Sequence, residues 1–384
     1  MADPVAIIGA GPAGCAAAIT LARAGVPVTL VEAKRFPRAK VCGEFVSPAA
    51  TEVLEGLLPI ERLVGAGARR CTALEVRVGE RSVRWAMPRP AWVLSRRALD
   101  AALCEEAGRA GVEVRQPARV ERVVYHDACA EVWLASGEVI RASCVMHGDG
   151  RGRFDHPSGP GVTASRAGVV GLKCHVRAPG DVPTSTLVMH AARGGYFGVI
   201  GVEGGEATVA MVVRDRLVRA RVSSGSRDEA IDRVMHGLAP ATSSYERVGP
   251  WMACPVAGSR YRAGGHVRSV RLGNAAGAVE PVGGEGIGLA LWSGATAGGL
   301  LGEGWREDGR LDAGRLASVW ARFGALYRER LRWRLPACRV AASILERPAL
   351  AGVLLPMLGV ADARPLGVWY RLTGKPGGCT PIHD

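Results

Sequence analysis

Lysine is almost missing from this chain of 384 residues: of 49 basic side chains only Lys34, Lys40, Lys173 and Lys375 are lysine. The formal charge of +13 is therefore carried by arginine scattered from end to end, with no block of about five or six like charges. Scatter of that kind reflects codon usage more than a built basic surface. Without an aromatic-interleaved basic stripe it argues against nucleic-acid binding. Attraction of phosphorylated ligands or of an acidic protein partner stays compatible with it. No two of the ten cysteines are spaced as CxxC, which removes zinc-site and thioredoxin-like readings. Cys15, Cys104, Cys144 and Cys174 lie inside apolar stretches, where a free thiol acts as a small core residue in a reducing compartment. Long hydrophobic runs are absent too. The longest, near 348–361, is short and broken by Pro356, so no transmembrane segment is expected. The first strand begins at residue 5, which leaves no room for a signal peptide, and the expected location is cytoplasmic. Aromatic residues make up only 5% of the chain, whereas glycine supplies 52 residues. The length suits one large domain or two intimate ones.

What is present starts at once. Residues 5–32 read VAIIGAGPAGCAAAITLARAGVPVTLVE. A short apolar strand (Val5 to Ile8) runs into Gly9-x-Gly11-x-x-Gly14, an alanine-rich helix follows to about Ala24, and a second strand from Val26 to Val31 ends in Glu32. Gly9 permits the tight turn, Gly11 lets backbone approach a pyrophosphate, and Gly14 lets helix and strand pack closely. The helix N-terminus offers free N–H groups and a positive dipole end to phosphates. Glu32 is placed to accept hydrogen bonds from a ribose diol. Strand, turn, helix, strand and acid in this order predict a dinucleotide site, with NAD and FAD not distinguished.

Further along, a charged loop spans 33–47 and a helix is predicted from about Pro48 to Leu58. Residues 71–94 alternate as two strands, and 96–110 read as an amphipathic helix. Strands are predicted at 112–116, 119–125, 130–134 and 138–146, and again at 168–176, 185–189, 196–202 and 206–213. A helix near 227–237, strands near 245–253 and 267–272, a helix from about Gly286 to Leu301 and a helical remainder from about 312 complete the reading. The expected fold class is α/β: a Rossmann-like dinucleotide-binding domain, an inserted β-sheet substrate domain, and a helical C-terminal region. The expected boundaries are 1–70, 95–155 and 262–305 for the discontinuous nucleotide-binding domain. Residues 71–94 and 156–261 would form the substrate sheet, and 306–384 the helical region.

The glycine turn with Glu32, the Arg96-x-x-Leu99-Asp100 helix start, Gly148-Asp149-Gly150, and Leu272-Gly273-Asn274-Ala275-Ala276-Gly277 followed by Pro281-x-Gly283-Gly284-Glu285-Gly286-Ile287-Gly288 form an ordered set. Together they resemble the FAD-dependent group A monooxygenase and geranylgeranyl-reductase superfamily, of the p-hydroxybenzoate-hydroxylase fold, over approximately residues 4–300, which implies that the Rossmann-like domain is a FAD-binding domain of the glutathione-reductase-2 type. Phe36-Pro37-Arg38-x-Lys40-Val41-Cys42-Gly43-Glu44 is similar to the PRxKxCGE segment of its geranylgeranyl-reductase-like branch. The resemblance implies FAD held by Gly9, Gly11, Ala13, Gly14, Glu32, Ala33, Arg38, Cys42, Arg96, Asp149, Gly273, Asn274, Pro281, Gly284, Gly286 and Ile287. Asn274 stands where the family has an acid on the ribityl chain; its amide oxygen still accepts but carries no charge. Pro281 would abut the isoalloxazine, and the helix starting near Gly286 would point its positive end at the flavin. Cys42 would lie at the flavin face, as a catalytic group with its pKa lowered by Arg38 and Lys40 or as a small packing residue. Glu44 and His147 are candidate acid–base groups. Tyr196 and Trp251 are candidate substrate contacts on the roofing sheet.

No second GxGxxG occurs, so NAD(P)H is expected to dock only transiently, or a separate reductase to deliver electrons. The favoured reaction is oxygenation of an aromatic or other electron-rich small molecule of secondary metabolism through a flavin C4a-hydroperoxide. The alternative is hydride transfer to a C=C bond of a prenyl or polyene substrate, as in geranylgeranyl reductases. A third reading is modification of an intermediate held on an acidic carrier protein, or of a polypeptide. No metal site is expected.

Overall fold

The computed structural model describes residues 3–150, 165–177, 185–220, 226–238, 240–308, 311–360 and 380–381. Five short strands form an all-parallel sheet in the order β16-β10-β1-β2-β6: β1 (Val5–Ile8), β2 (Val28–Val31), β6 (Glu113–Arg115), β10 (Cys144–His147) and β16 (Ser269–Arg271). β1, β2, β10 and β16 are buried along their whole length, which is why they read as apolar runs rather than alternating ones. The second strand starts at Val28, two residues after the expected Val26, and β16 is shorter than the expected 267–272. The stretch 138–146 is not one strand. β9 (Val139–Ala142) alternates exposed and buried in a meander with β7 (Val120–Tyr125) and β8 (Ala130–Leu134), and the chain then passes at Ser143 into β10. The arginine at 268 pins that break by donating to the carbonyls of Ser143 and Asp127, a long-range contact that no local pattern announces.

The second sheet is larger. Its core order is β15-β11-β14-β13-β12-β4-β5, built from β4 (Arg69–Val78), β5 (Arg81–Val93), β11 (Ser165–Arg177), β12 (Thr186–Ala192), β13 (Gly195–Gly201), β14 (Ala207–Arg214) and β15 (Glu246–Ala257). β3 (Phe45–Val46) and the pair Thr380–Pro381 add to β5. All neighbours are antiparallel except β12 with β4, the seam between strands laid down before the excursion through β6–β10 and strands laid down after it. The α/β class with a parallel core, an added sheet and C-terminal helices is thus the observed one.

Helix α1 (Pro12–Arg23) and helix α7 (Gly286–Asp308) lie against each other. The contact is a stripe of small residues. A Cβ on Gly294 would sit 2.1 Å from the Ala13 carbonyl oxygen, and one on Gly298 3.0 Å from that of Ala17. This 4-residue glycine spacing, which the sequence reading missed, lets the two backbones touch. α7 runs to Asp308, beyond the expected Leu301. The other helices are α2 (Thr51–Leu57), α3 (Ile60–Gly65), α4 (Arg96–Arg109), α5 (Asp215–Arg219), α6 (Arg227–Leu238), α8 (Ala313–Leu345) and α9 (Pro348–Val360). The expected helical remainder therefore holds to residue 360; Trp369, Lys375 and the expected segment around 156–164 lie outside the described residues. Among the described residues no helix is long and apolar enough to cross a membrane.

Candidate functional site

Three features converge on one cavity of about 1080 Å³, above the roughly 300–1,000 Å³ of common ligand pockets. The first is the turn after β1. Gly14 sits so close to this turn that an added Cβ would lie 1.9 Å from the Gly9 carbonyl oxygen. Gly14 itself does not line the cavity; it holds the turn shut from behind. The second is the N-terminus of α1, which has Gly11 as N-cap, Pro12 in the first turn and no side-chain cap. Its first N–H groups are left for a ligand. The Gly11 Cβ position faces open space, with Arg96 Nη2 nearest at 3.9 Å. The third is the start of α7, where Gly286 and Ile287 line the cavity beside Gly273, Asn274 and Pro281. The glycine stripe between α1 and α7 is what brings both helix N-termini to the same cavity.

The polar end of the cavity carries Glu32, Arg38, Lys40, Arg96 and Asp149, with Ala13 and Ala33 beside them. Glu32 is buried and accepts from the backbone N–H of Ala10 and of Lys34, each at 3.0 Å. It therefore braces the glycine turn and still borders the cavity. Arg96 donates through Nε and Nη2 to both oxygens of the fully buried Asp100, each at 2.7 Å. Burial pulls its pKa down, but Asp100 outweighs that and the net shift is upward. Arg38 spans Glu32 and Asp100 at 3.4 Å each. Lys40 forms no ion pair among the described residues, and burial together with Arg38 and Arg96 lowers its pKa. A diphosphate fits this end: free helix N–H groups, a cradle that a Cβ would fill, and a cation held uncomfortably near two others.

At the opposite end the aliphatic walls are Leu187, Met189, Val212 and Val256 from the second sheet; Leu172 and Met211 border the cavity but belong to the core on the sheet's other face. Gly284 forms the floor with φ +64, and a Cβ there would lie 2.6 Å from the Phe45 ring. Tyr196 lines this end, its hydroxyl donating to Glu280 Oε1 at 3.2 Å; burial raises its pKa. Among the described residues this half of the lining holds no charged side chain.

Four expectations need correcting. Cys42 lines the cavity, but its thiol pKa is raised, because burial outweighs the opposing charge of Arg96; Arg38 and Lys40 do not activate it. Glu44 is neither in the cavity lining nor available as an acid–base group. It is fully buried in a left-handed conformation (φ 57) and accepts from Lys173 Nζ at 2.6 Å, His175 Nε2 at 2.8 Å, Thr208 Oγ1 and the Arg96 backbone N–H at 2.8 Å. Burial favours its neutral form, yet His175 and Lys173 prevail and hold its pKa at about 2. Trp251 does not reach the cavity. Its indole N–H donates to Asp232 at 2.8 Å, and the ring packs with Leu172, Val209 and Met235 in the core on the far side of the sheet. His147 is buried 2.8 Å from the Tyr125 hydroxyl, and burial followed by Arg271 takes its pKa down to about 4, so it stays neutral and structural. Sequence reading missed Lys173, His175 and Thr208, which meet Glu44 only through the second sheet. It also missed Tyr327, whose hydroxyl donates to the carbonyls of Gly273 and Gly277 and secures that turn.

A glycine turn and two helix N-termini that meet one cavity, polar at the turn and apolar against the second sheet, define a dinucleotide-binding site. The family model described as FAD binding domain matches residues 3–313, and the chain belongs to that family. A menaquinone reductase of Mycolicibacterium smegmatis is 51% identical over 53 residues, 14% of this chain and only 13% of that protein. The digeranylgeranylglycerophospholipid reductase 1 of Methanopyrus kandleri is 27% identical over 370 residues, covering 91% of this chain and 92% of its own. Among solved structures, PqsL of Pseudomonas aeruginosa, a probable FAD-dependent monooxygenase, superposes with a TM-score of 0.73 at 20% identity, covering 92% of this chain and 100% of that one. A geranylgeranyl bacteriochlorophyll reductase-like protein of Thermoplasma acidophilum gives 0.75 at 19%, covering 92% and 91%. At such identities these two structures speak for the fold.

Proposed function

We propose that this protein is a monooxygenase acting on an apolar, electron-rich aromatic small molecule, with NAD(P)H as a visiting reductant. The observation that carries this reading is the substrate half of the cavity, walled by Leu187, Met189, Val212 and Val256 without a charged group among the described residues. When bound and reduced, FAD supplies two electrons to O₂, delivering one oxygen atom to substrate and the other to water. The chain's own contribution is placement and dryness. The α1 N-terminus and Arg96 would hold the phosphates, Pro281, Gly284, Gly286 and Ile287 would border the flavin, and the aliphatic wall would exclude water and stray proton donors from the reacting face. Among the described residues there is one glycine-turn βαβ unit, which leaves NAD(P)H no resident fold.

A second reading, C=C reduction of a prenyl or polyene lipid, is favoured by Cys42 at the cavity wall with its proton retained, and by the near full-length similarity to the archaeal lipid reductase. One experiment separates the two. The yellow holoenzyme is supplied with NADPH and the probe 4-hexylresorcinol under ¹⁸O₂, and in parallel is reduced anaerobically and mixed with geranylgeraniol or menaquinone. Probe-stimulated oxygen uptake with one ¹⁸O in the product is the expected result. Anaerobic reoxidation of the flavin with saturation of the alkene, and no ¹⁸O product, would overturn it. Protein that purifies colourless and takes up no FAD would remove the cofactor as well.

A further inference from the structure

The outward face of the C-terminal helices is apolar and basic, and nothing among the described residues covers it. On α8, Trp333 and Val340 are 53% and 59% exposed, one heptad apart and in line with Leu326 on the same face. On α9, which follows after two residues, Leu350 and Val353 are 43% and 61% exposed at i, i+3 spacing. Single exposed apolar residues are ordinary, but a ridge repeated on two successive helices is not. From Leu326 to Val340 the ridge runs about 21 Å.

Charge accompanies the ridge. Between residues 326 and 356 the basic residues are Arg328, Arg330, Arg332, Arg334, Arg339 and Arg347, and the acids are Glu329 and Glu346. Glu346 is buried and faces Arg214 at 3.3 Å, so it contributes nothing to the outer surface. Arg328, Arg332, Arg339 and Arg347 are exposed beside the apolar ridge; the exposed Glu329 faces Arg332 at 3.9 Å and offsets one of these four charges, so the face stays net positive. The inner face of the same helices packs Ala342, Ala351 and Leu355 against Met189 and Tyr196, which line the apolar half of the cavity.

We infer that the α8–α9 face docks on an anionic lipid surface, lying in the headgroup region with Trp333, Val340, Leu350 and Val353 inserted and the arginines on the phosphates. Neither helix can span a bilayer, so the association is peripheral, of the amphipathic kind. An acidic carrier protein would match the arginines, but it would gain little from an aliphatic and tryptophan ridge that a bilayer interface takes up readily. Docking goes beyond the proposed reaction and does not depend on it: the same surface would serve oxygenation or reduction of a lipid-soluble substrate drawn from the membrane.

The test is flotation of the FAD-loaded, full-length chain with vesicles of phosphatidylcholine alone or mixed with phosphatidylglycerol. Partitioning is expected to rise with phosphatidylglycerol and to fall as salt increases from about 0.1 M to 1 M, where the screening length shrinks from about 10 Å to 3 Å. Charge reversal in Arg332→Glu and Arg339→Glu should each weaken it about fivefold. Trp333→Asp and Val353→Asp should weaken it about tenfold or more. All four side chains point outward, so flavin content and melting temperature should be unchanged and serve as the folding controls. Absence of binding to anionic vesicles at low salt overturns the inference. So does equal binding by wild type and all four variants, which would assign the effect to the dispersed basic surface. Loss of binding to a purified acidic carrier protein, with vesicle binding intact in the variants, would replace lipid by protein as the partner. Lipid binding without any ¹⁸O product would leave docking standing and remove only the proposed oxygenation.

Discussion

Replacing Glu44 by glutamine keeps the side-chain shape and removes one charge from a fully buried site. In the wild type the carboxylate pairs with Lys173, itself fully buried, at 2.6 Å, and also binds His175, Thr208 and the first N–H of α4. Two routes give its worth. The pKa falls from 4.5 to about 2 in the folded protein, and at about 1.4 kcal/mol per unit this is about 3 kcal/mol of stability. Breaking a buried ion pair by removing one partner typically costs about 3–5 kcal/mol, because the other charge is stranded. The folded-state value lies below the unfolded one. The charge therefore stabilises above pH 4.5, and its contribution is lost as pH falls toward about 2. Glu44→Gln should lose about 3 kcal/mol in urea denaturation at neutral pH, and the gap to wild type should close across that acid window. The double variant Glu44→Gln/Lys173→Met should recover much of the loss, since it removes the stranded ammonium. A loss under about 1 kcal/mol, the range of an exposed pair, would refute the argument. A double variant no more stable than the single one would refute it too.

Two further outcomes follow from the site. Gly11→Val should fold with unchanged melting temperature, because its Cβ meets only Arg96 Nη2 at 3.9 Å, yet bind FAD at least about tenfold more weakly as the branched side chain enters the phosphate cradle; full flavin occupancy in this variant would remove the site. Cys42, with its thiol pKa raised by burial, should alkylate with iodoacetamide more slowly than an unhindered thiol and with a rate still climbing above about pH 9; a plateau below about pH 7, read by mass mapping, would mean an activated thiolate instead.

The nucleotide end of this protein was legible because its chemistry is local. Gly9, Gly11, Gly14 and Glu32 fall within one βαβ unit, and the turn, the helix start and the acid are separated by spacings that backbone geometry alone imposes. The same holds for the start of α7 at Gly286. What misled was residue type without partners. Glu44 beside Cys42 looked like a candidate acid, and Trp251 like a pocket wall, until β11, β14 and α6 brought Lys173, His175 and Asp232 against them. The split of 138–146 was hidden for a similar reason: alternation and full burial succeed each other without a break in composition, and the carbonyl of Ser143 is claimed by a residue 125 positions away.

The sequence by itself determined that the chain carries a glycine turn of the dinucleotide-binding kind, and that an α/β core is built around it, because hydrophobic period and glycine spacing act over a few residues. Tertiary structure alone decided which titratable groups are charged and how apolar the substrate end is. Those properties depend on desolvation and on partners from distant segments, and distance along the chain carries no information about either until the sheets close.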